Sequence, residues 1–217
     1  MRWRRQLMEL EVKEGYAAWA STYSPSAHNP LMELEQRAVL ELLRDQAGKA
    51  ALDLACGSGR YLATLIERGA APVIGLDISS EMLARARMNS RHLVQADLRW
   101  LPLANSSFEV VVCGLAVGHV DDLRGVMIEV GRVLVSGGIV VYSDFHPFGA
   151  LAGWKRTFRA QDGRQYAVRH HTHLYADHHA ACRAAGLIIE EVREPRIDFE
   201  HKWRGCPGVL VIRARKT

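Results

Sequence analysis

Ala51-Leu52-Asp53-Leu54-Ala55-Cys56-Gly57-Ser58-Gly59-Arg60 is an apolar run interrupted by one acid, then Gly-x-Gly, then the opening of a helical pattern. That order describes a buried parallel strand, a tight turn and a helix start, the corner of an α/β fold that grips a ligand. Glycines at the turn let backbone N–H groups approach the ligand, and Asp53 fixes a negative charge near it. A second apolar run, Pro72-Val73-Ile74-Gly75-Leu76, closes on Asp77, at about the spacing where such folds place the carboxylate that binds ribose hydroxyls. Two acids so placed imply a nucleoside-bearing cofactor.

Outward from this corner the chain alternates. Strands are expected at 50–54, 72–76, 92–95, 108–113 and 138–143, with helices at 58–69, 80–89 and 122–134 between them. Such alternation predicts a parallel sheet with helices on both faces. A last helix at 174–185 stops at Gly186, and apolar runs at 187–192 and 207–213 supply two more strands. Upstream, 6–19 and 30–45 carry helical periodicity, parted by Ser21-Thr22-Tyr23-Ser24-Pro25, and the second helix begins at Asn29-Pro30 with proline in its first turn. Between the fifth strand and the last helix, Thr157–Gln161 and Arg164–Val168 flank Asp162-Gly163, a two-residue hairpin signal. The expected fold is therefore α/β, a Rossmann-like, seven-stranded, mostly parallel sheet with helices on both faces, an N-terminal helical lid and a small β-hairpin cap after strand five. One domain over 1–217 is expected: lid 1–47, cofactor-binding core 48–145, cap insertion 146–172, and the C-terminal part of the core 173–217.

Composition narrows the class. With 217 residues, 48% of them hydrophobic, the chain can bury one substantial core. Cys56, Cys113, Cys182 and Cys206 are scattered without C-x-x-C, which suggests neither a disulfide framework nor a zinc ribbon. No apolar run reaches membrane-spanning length, and Arg2, Arg4 and Arg5 stand without the apolar region of a signal peptide, so a cytoplasmic protein is expected. A formal charge of +4 permits acidic or amphiphilic substrates without requiring nucleic acid.

The identity of the cofactor turns on position 62, where a dinucleotide fingerprint needs a third glycine and this chain has Leu62. A G-x-x-x-x-G-K-[ST] run is also absent. What remains, Asp53-x-Ala55-x-Gly57-x-Gly59, resembles the first motif of class I S-adenosylmethionine-dependent methyltransferases. Asp77-Ile78-Ser79-x-x-Met82-Leu83 resembles the second and Gln95-Ala96-Asp97-Leu98 the third. Leu101-Pro102-Leu103 with Ser107–Cys113 resembles the fourth strand, Glu109 replacing the usual aspartate, and Arg132-Val133-Leu134-x-x-Gly137-Gly138 resembles the turn into the fifth, with Ser136 where proline is common. The nearest branch looks like that of the ubiquinone and menaquinone C-methyltransferases and the biotin-pathway carboxyl methyltransferase.

The resemblance implies S-adenosyl-L-methionine as cofactor and S-adenosyl-L-homocysteine as product. It assigns the amino-acid end to the Asp53, Ala55, Cys56, Gly57 and Gly59 loop. Asp77 would take both ribose hydroxyls, Ile78 and Met82 would flank the adenine, and Asp97, between Ala96 and Leu98, would accept from its amino group. Leu115 to His119 would line the mouth, while Tyr16, Trp19 and Tyr23 resemble a mobile aromatic lid that excludes water and faces the sulfonium.

Methyl transfer is an in-line displacement in which positioning carries much of the acceleration, and a base can help where the nucleophile bears a proton. His146, in Ser143-Asp144-Phe145-His146-Pro147, is the preferred base with Asp144 to orient it; His119, after strand four, is the other. A plainer reading has His146 only hydrogen-bonding backbone at the start of the cap. His170, His171 and His173 are expected to touch substrate together with Trp154. A metal held by His170, His173 and His178 is weighed against the lack of carboxylate or thiolate at ligand spacing, and no metal is expected. Arg156 and Arg159 on the cap would select an anionic aromatic acceptor or cover the core, and Arg2–Arg5 and Arg213–Lys216 read as solvated tails. The expected acceptor is a small aromatic or quinol-like molecule, methylated on oxygen, carbon or nitrogen. An RNA or protein methyltransferase is the alternative, against which Cys113-Gly114-Leu115-Ala116 lacks [DNS]-P-P-[YFW] and no basic stripe is interleaved with aromatics. A non-catalytic binding protein is the third reading; the oligomeric state is left open.

Overall fold

Strands covered on both faces need near-continuous apolar runs, and the central strands have them. The computed structural model describes residues 7–90 and 92–217. Its main sheet contains β2 (Ala51–Leu54), β3 (Val73–Asp77), β4 (Leu93–Gln95), β5 (Phe108–Cys113), β6 (Leu134–Phe145), β9 (Leu187–Arg193) and β10 (Val209–Lys216), in the order β4-β3-β2-β5-β6-β10-β9. Neighbours from β4 through β6 pair in parallel, and β10 runs antiparallel to both β6 and β9. The chain order reverses between β2 and β5. A crevice opens at such a switch point outside the carboxyl ends of the strands.

Helices α1 (Val12–Ala20), α2 (Pro30–Leu43), α3 (Arg60–Glu67), α4 (Ser80–Ala86), α5 (Leu123–Val133), α6 (Pro147–Leu151) and α7 (Tyr175–Ala184) complete the chain. Side chains cap three of them where the sequence places Asn or Ser or Asp: Asn29, Ser79 and Asp122 each accept from a backbone amide of the first turn. Two apolar clusters lie on opposite faces of the sheet, one joining it to α5 and α7, the other to α2, α3 and α4.

The N-terminal segment departs from expectation. A helix over 6–19 is replaced by β1 (Met8–Leu10) followed by α1, with residue 6 outside the described residues, as are Arg2, Arg4 and Arg5. The hairpin forms from β7 (Arg156–Arg159) and β8 (Gln165–Val168), and β1 pairs with β8 in parallel, Met8 facing Tyr166 and Leu10 facing Val168. The N-terminal segment and the hairpin thus share one three-stranded sheet. Trp19 of α1 stacks on Phe158 of β7 at 4.9 Å between ring centroids. Arg213 is no solvated tail: it is buried, its Nε donating to Glu190 at 2.8 Å and its Nη1 to the carbonyl of Leu42 at 2.8 Å.

Glu35 binds the N-terminal part to the core. It lies on the buried stripe of α2 with Met32, Val39 and Leu42, fully out of solvent. Its carboxylate accepts from the Tyr61 hydroxyl at 2.9 Å, the Arg60 guanidinium at 2.9 Å and the Ser143 hydroxyl. Removing one member of a buried charged network strands the others, at about 3–5 kcal/mol. Glu35→Ala should therefore lower the urea unfolding free energy by about 3 kcal/mol or more, whereas replacement of the exposed Glu33, on the same helix, should change it by under about 0.5 kcal/mol.

Candidate functional site

A cleft of about 420 Å³ opens above the strand ends at the switch point. Its floor is the loop after β2. There Ala55 and Gly57 hold positive φ, of 56° and 55°, and a side chain on Gly57 would meet open space, so the backbone itself is presented to the cleft. The amide of Gly57 donates to the Asp77 carboxylate at 2.8 Å, and the amide of Ser79 donates to its other oxygen at 2.9 Å. Burial raises the Asp77 carboxyl above the ordinary range, with those amides working against it. Asp53 is buried too, and its Oδ2 has no hydrogen-bond partner among the described residues. Burial pushes its carboxyl up to about 7, although the Leu62 amide and Arg60 pull the other way.

The far wall comprises Ile78, Ala96, Asp97 and Leu98. Partial burial pulls Asp97 upward, but Arg99, bonded to it at 2.7 and 3.0 Å, holds it below the usual carboxylate range. The opposite wall unites residues distant in sequence: Tyr16 and Tyr23 from the N-terminal part, Leu115 and His119 beyond β5, Arg156 of the cap, and Arg169 and His171 after it. His119 Nδ1–H donates to the carbonyl of Arg169 at 2.8 Å, which leaves Nε2 to accept from the Tyr16 hydroxyl at 2.8 Å. Burial, then the nearby Arg156 cation, lower the His119 imidazole to about 3, so it is neutral at physiological pH. The Tyr16 phenol is raised by burial and keeps its proton.

Arg156 is only 7% exposed. Its Nη1 donates to the carbonyl of Leu115 at 2.9 Å, Nε has no acceptor, and no carboxylate stands within ion-pair distance among the described residues. Burial alone would favour its neutral form; Tyr16, Tyr23 and Asp144 outweigh that and hold it protonated.

Fourteen of the expected site residues line this cleft, among them Tyr16, Tyr23, Asp53, Ala55, Cys56, Gly57, Asp77, Leu115, His119 and His171. Others stand elsewhere. Gly59 is the residue before α3, with φ of 90°; Met82 is packed inside α4; Trp19 is stacked against the cap. His146 turns away, its Nδ1 capping α6 by accepting from the Phe148 amide at 3.1 Å and its Nε2 donating to Glu194 at 3.1 Å. Asp144 orients His170 instead, which donates to it at 2.9 Å, and this bond holds Asp144 below the usual range against the upward pull of burial. Gly118 makes room for that pair, since a Cβ there would lie 2.2 Å from His170 Nε2. His173 donates to the carbonyl of Val120 at 2.8 Å. His146, His170 and Trp154 line a second cavity beside Arg156. Among the described residues no group of three or more His, Cys, Asp or Glu is arranged to hold a metal ion. Glu35 was not foreseen, yet an acid on an otherwise apolar helical stripe was its visible signal.

Residues 52–142 match the family model described as a methyltransferase domain. The malonyl-[acyl-carrier protein] O-methyltransferase of Enterobacter lignolyticus is 32% identical over 84% of this chain and 72% of its own length. The demethylmenaquinone methyltransferase of Oceanobacillus iheyensis is 37% identical over 44% of each chain. Among solved structures, an S-adenosylmethionine-dependent methyltransferase from Mesorhizobium loti superposes with a TM-score of 0.71 at 27% identity, over 84% of this chain and 98% of that one. With the motif loop, its two acids and the switch-point cleft all in one place, the chain belongs to the class I S-adenosylmethionine-dependent methyltransferases.

Proposed function

We propose that this enzyme methylates a small-molecule acceptor held between the cofactor loop and the cap, with the acceptor's nucleophile facing Tyr16, His119, Arg156 and His171. The observation that carries this reading is the single cleft that joins the motif residues to those four side chains. S-adenosylmethionine is the cofactor, and the residues present fit it: an unpartnered buried carboxylate oxygen on Asp53 for an ammonium group, and exposed backbone at Gly57 for close approach. Asp77 is assigned to the ribose hydroxyls, Ile78 to the adenine face, and Asp97 to the adenine amino group. When bound, the cofactor supplies a methyl group on positively charged sulfur, electrophilic enough that the protein need only position, desolvate and orient.

The relatives named above act on a malonyl group and on demethylmenaquinone, so both an ionised oxygen and a quinol-like acceptor suit the reading. His119 is a poor base for either. Burial and the Arg156 cation hold the imidazole far below its ordinary range, so taking a proton from a phenol is strongly uphill. Its role is to fix the Tyr16 hydroxyl, whose proton is committed to the imidazole and whose oxygen is left only to accept. The lack of an effective base, with the Arg156 cation in the same cleft, favours an acceptor that arrives already ionised. The buried thiols of Cys56, Cys113 and Cys182 agree with a reducing, cytoplasmic setting. Among the described residues, no helix is long and apolar enough to cross a membrane.

Asp77→Ala should weaken S-adenosylhomocysteine binding about tenfold or more by calorimetry, through loss of charged hydrogen bonds. Asp53 gives a pH signature. A carboxyl raised to about 7 is mostly protonated at pH 6 and mostly ionised at pH 8, and a cationic ligand prefers the ionised form, so affinity should rise about tenfold across that interval. Asp53→Asn should bind more weakly, with a flat profile. For the Tyr16–His119 pair, Tyr16→Phe and His119→Ala should each lower kcat on an accepted substrate, and the double variant should lose little more than either alone. Additive losses would show that the two side chains act independently.

A further inference from the structure

Beside Arg156, and lined by none of the residues of the loop after β2, lies a second cavity of about 290 Å³. It is enclosed by the end of β6, by α6 and by the strand segments of lid and cap, with Phe145, Trp154, Arg156, Val168, His170 and Thr172 on its walls. Arg156 lines both chambers and so stands between them. Two of the residues that line it carry buried donors without acceptors among the described residues: Nε of Arg156 and Nε1 of Trp154. Leaving such donors unpaired costs free energy that an acceptor would recover.

The other ionisable side chains at this cavity already have partners. Glu9 faces Lys155 at 3.6 Å and Arg169 at 3.9 Å, His146 is bonded to Glu194, and His170 to Asp144. Arg156 has no carboxylate within ion-pair distance among the described residues, the Asp144 charge acting on it only from farther off, and it rests against the Phe145 ring at 5.2 Å and the Tyr16 ring at 5.9 Å from its guanidinium carbon. The Trp154 indole is seated by design of the backbone, since a Cβ on Gly149 would stand 2.5 Å from its ring. An indole N–H and a guanidinium N–H beside an aromatic wall suit a planar anion carried on an apolar body.

We propose that this second cavity is the acceptor subsite for a carboxylate-bearing molecule, with Arg156 Nε and Trp154 Nε1 as the donors to the carboxylate. This rests on the methyl-transfer reading and adds the chemical class of the acceptor: a small organic acid, aromatic or similarly flat, whose charge is held at the junction of the two chambers.

The test titrates benzoate and 4-hydroxybenzoate, with neutral 4-hydroxybenzamide as control, into the full-length protein saturated with S-adenosylhomocysteine, read by ligand-observed NMR and calorimetry. Saturable binding of the carboxylates with at least tenfold preference over the amide is expected. Arg156→Gln should abolish that preference while leaving S-adenosylhomocysteine affinity within about twofold, and Trp154→Phe, which keeps the ring and removes only the N–H, should weaken the carboxylates severalfold. Equal binding of amide and acid, no binding of either acid, or unchanged carboxylate affinity in Trp154→Phe would overturn the subsite. So would loss of S-adenosylhomocysteine affinity in Arg156→Gln, which would give the guanidinium to the cofactor's own carboxylate. Failure of the unaltered protein to bind S-adenosylhomocysteine would instead bring down the methyl-transfer reading beneath it.

Discussion

The hydrogen bond from the Gly57 amide to the Asp77 carboxylate is the constraint on which the site depends. It ties the turn after β2 to the end of β3, and a loop tethered there presents its backbone to the crevice rather than collapsing into it. The turn takes positive φ at 55 and 57, a conformation that costs glycine nothing at 57 and is strained for Ala55. Ser79 then starts α4 with its amide on the same carboxylate and its hydroxyl capping the Met82 amide. One acid thereby orders a turn, a strand end and a helix start.

Against that fixed side, the opposite wall is assembled from remote pieces. Tyr16, His119 and the Arg169 carbonyl form a chain of hydrogen bonds crossing from the N-terminal helix to the segment after the cap. Its polarity is set by one backbone carbonyl, which fixes the imidazole tautomer and so makes Tyr16 the donor. Electrostatics agree: a cationic imidazole next to Arg156 would be repelled, and the ring stays neutral.

What could be read from the sequence followed how local its causes are. Strand 108–113 was placed to the residue because an apolar run bounded by polar residues needs no distant information. The strand Met8–Leu10 was not visible, because three residues cannot distinguish a period of 2 from one of 3.6, and its partner Tyr166–Val168 lies more than 150 residues on. His146 was expected beside Asp144 on the assumption that the extended chain continues. Pro147 ends that geometry by opening α6, whose first turn takes the His146 ring as its cap, and Asp144 finds its histidine in the cap instead. The sequence marks Arg156 only as a residue of the hairpin segment, and its burial without an ion pair emerges when β7 folds over Leu115.

The pairing of β1 with β8 has a mechanical meaning. Two segments far apart in sequence are bonded into one ribbon and clamped further by the Trp19–Phe158 stack. Neither can be displaced alone without breaking that ladder, so any shift of one carries the other with it.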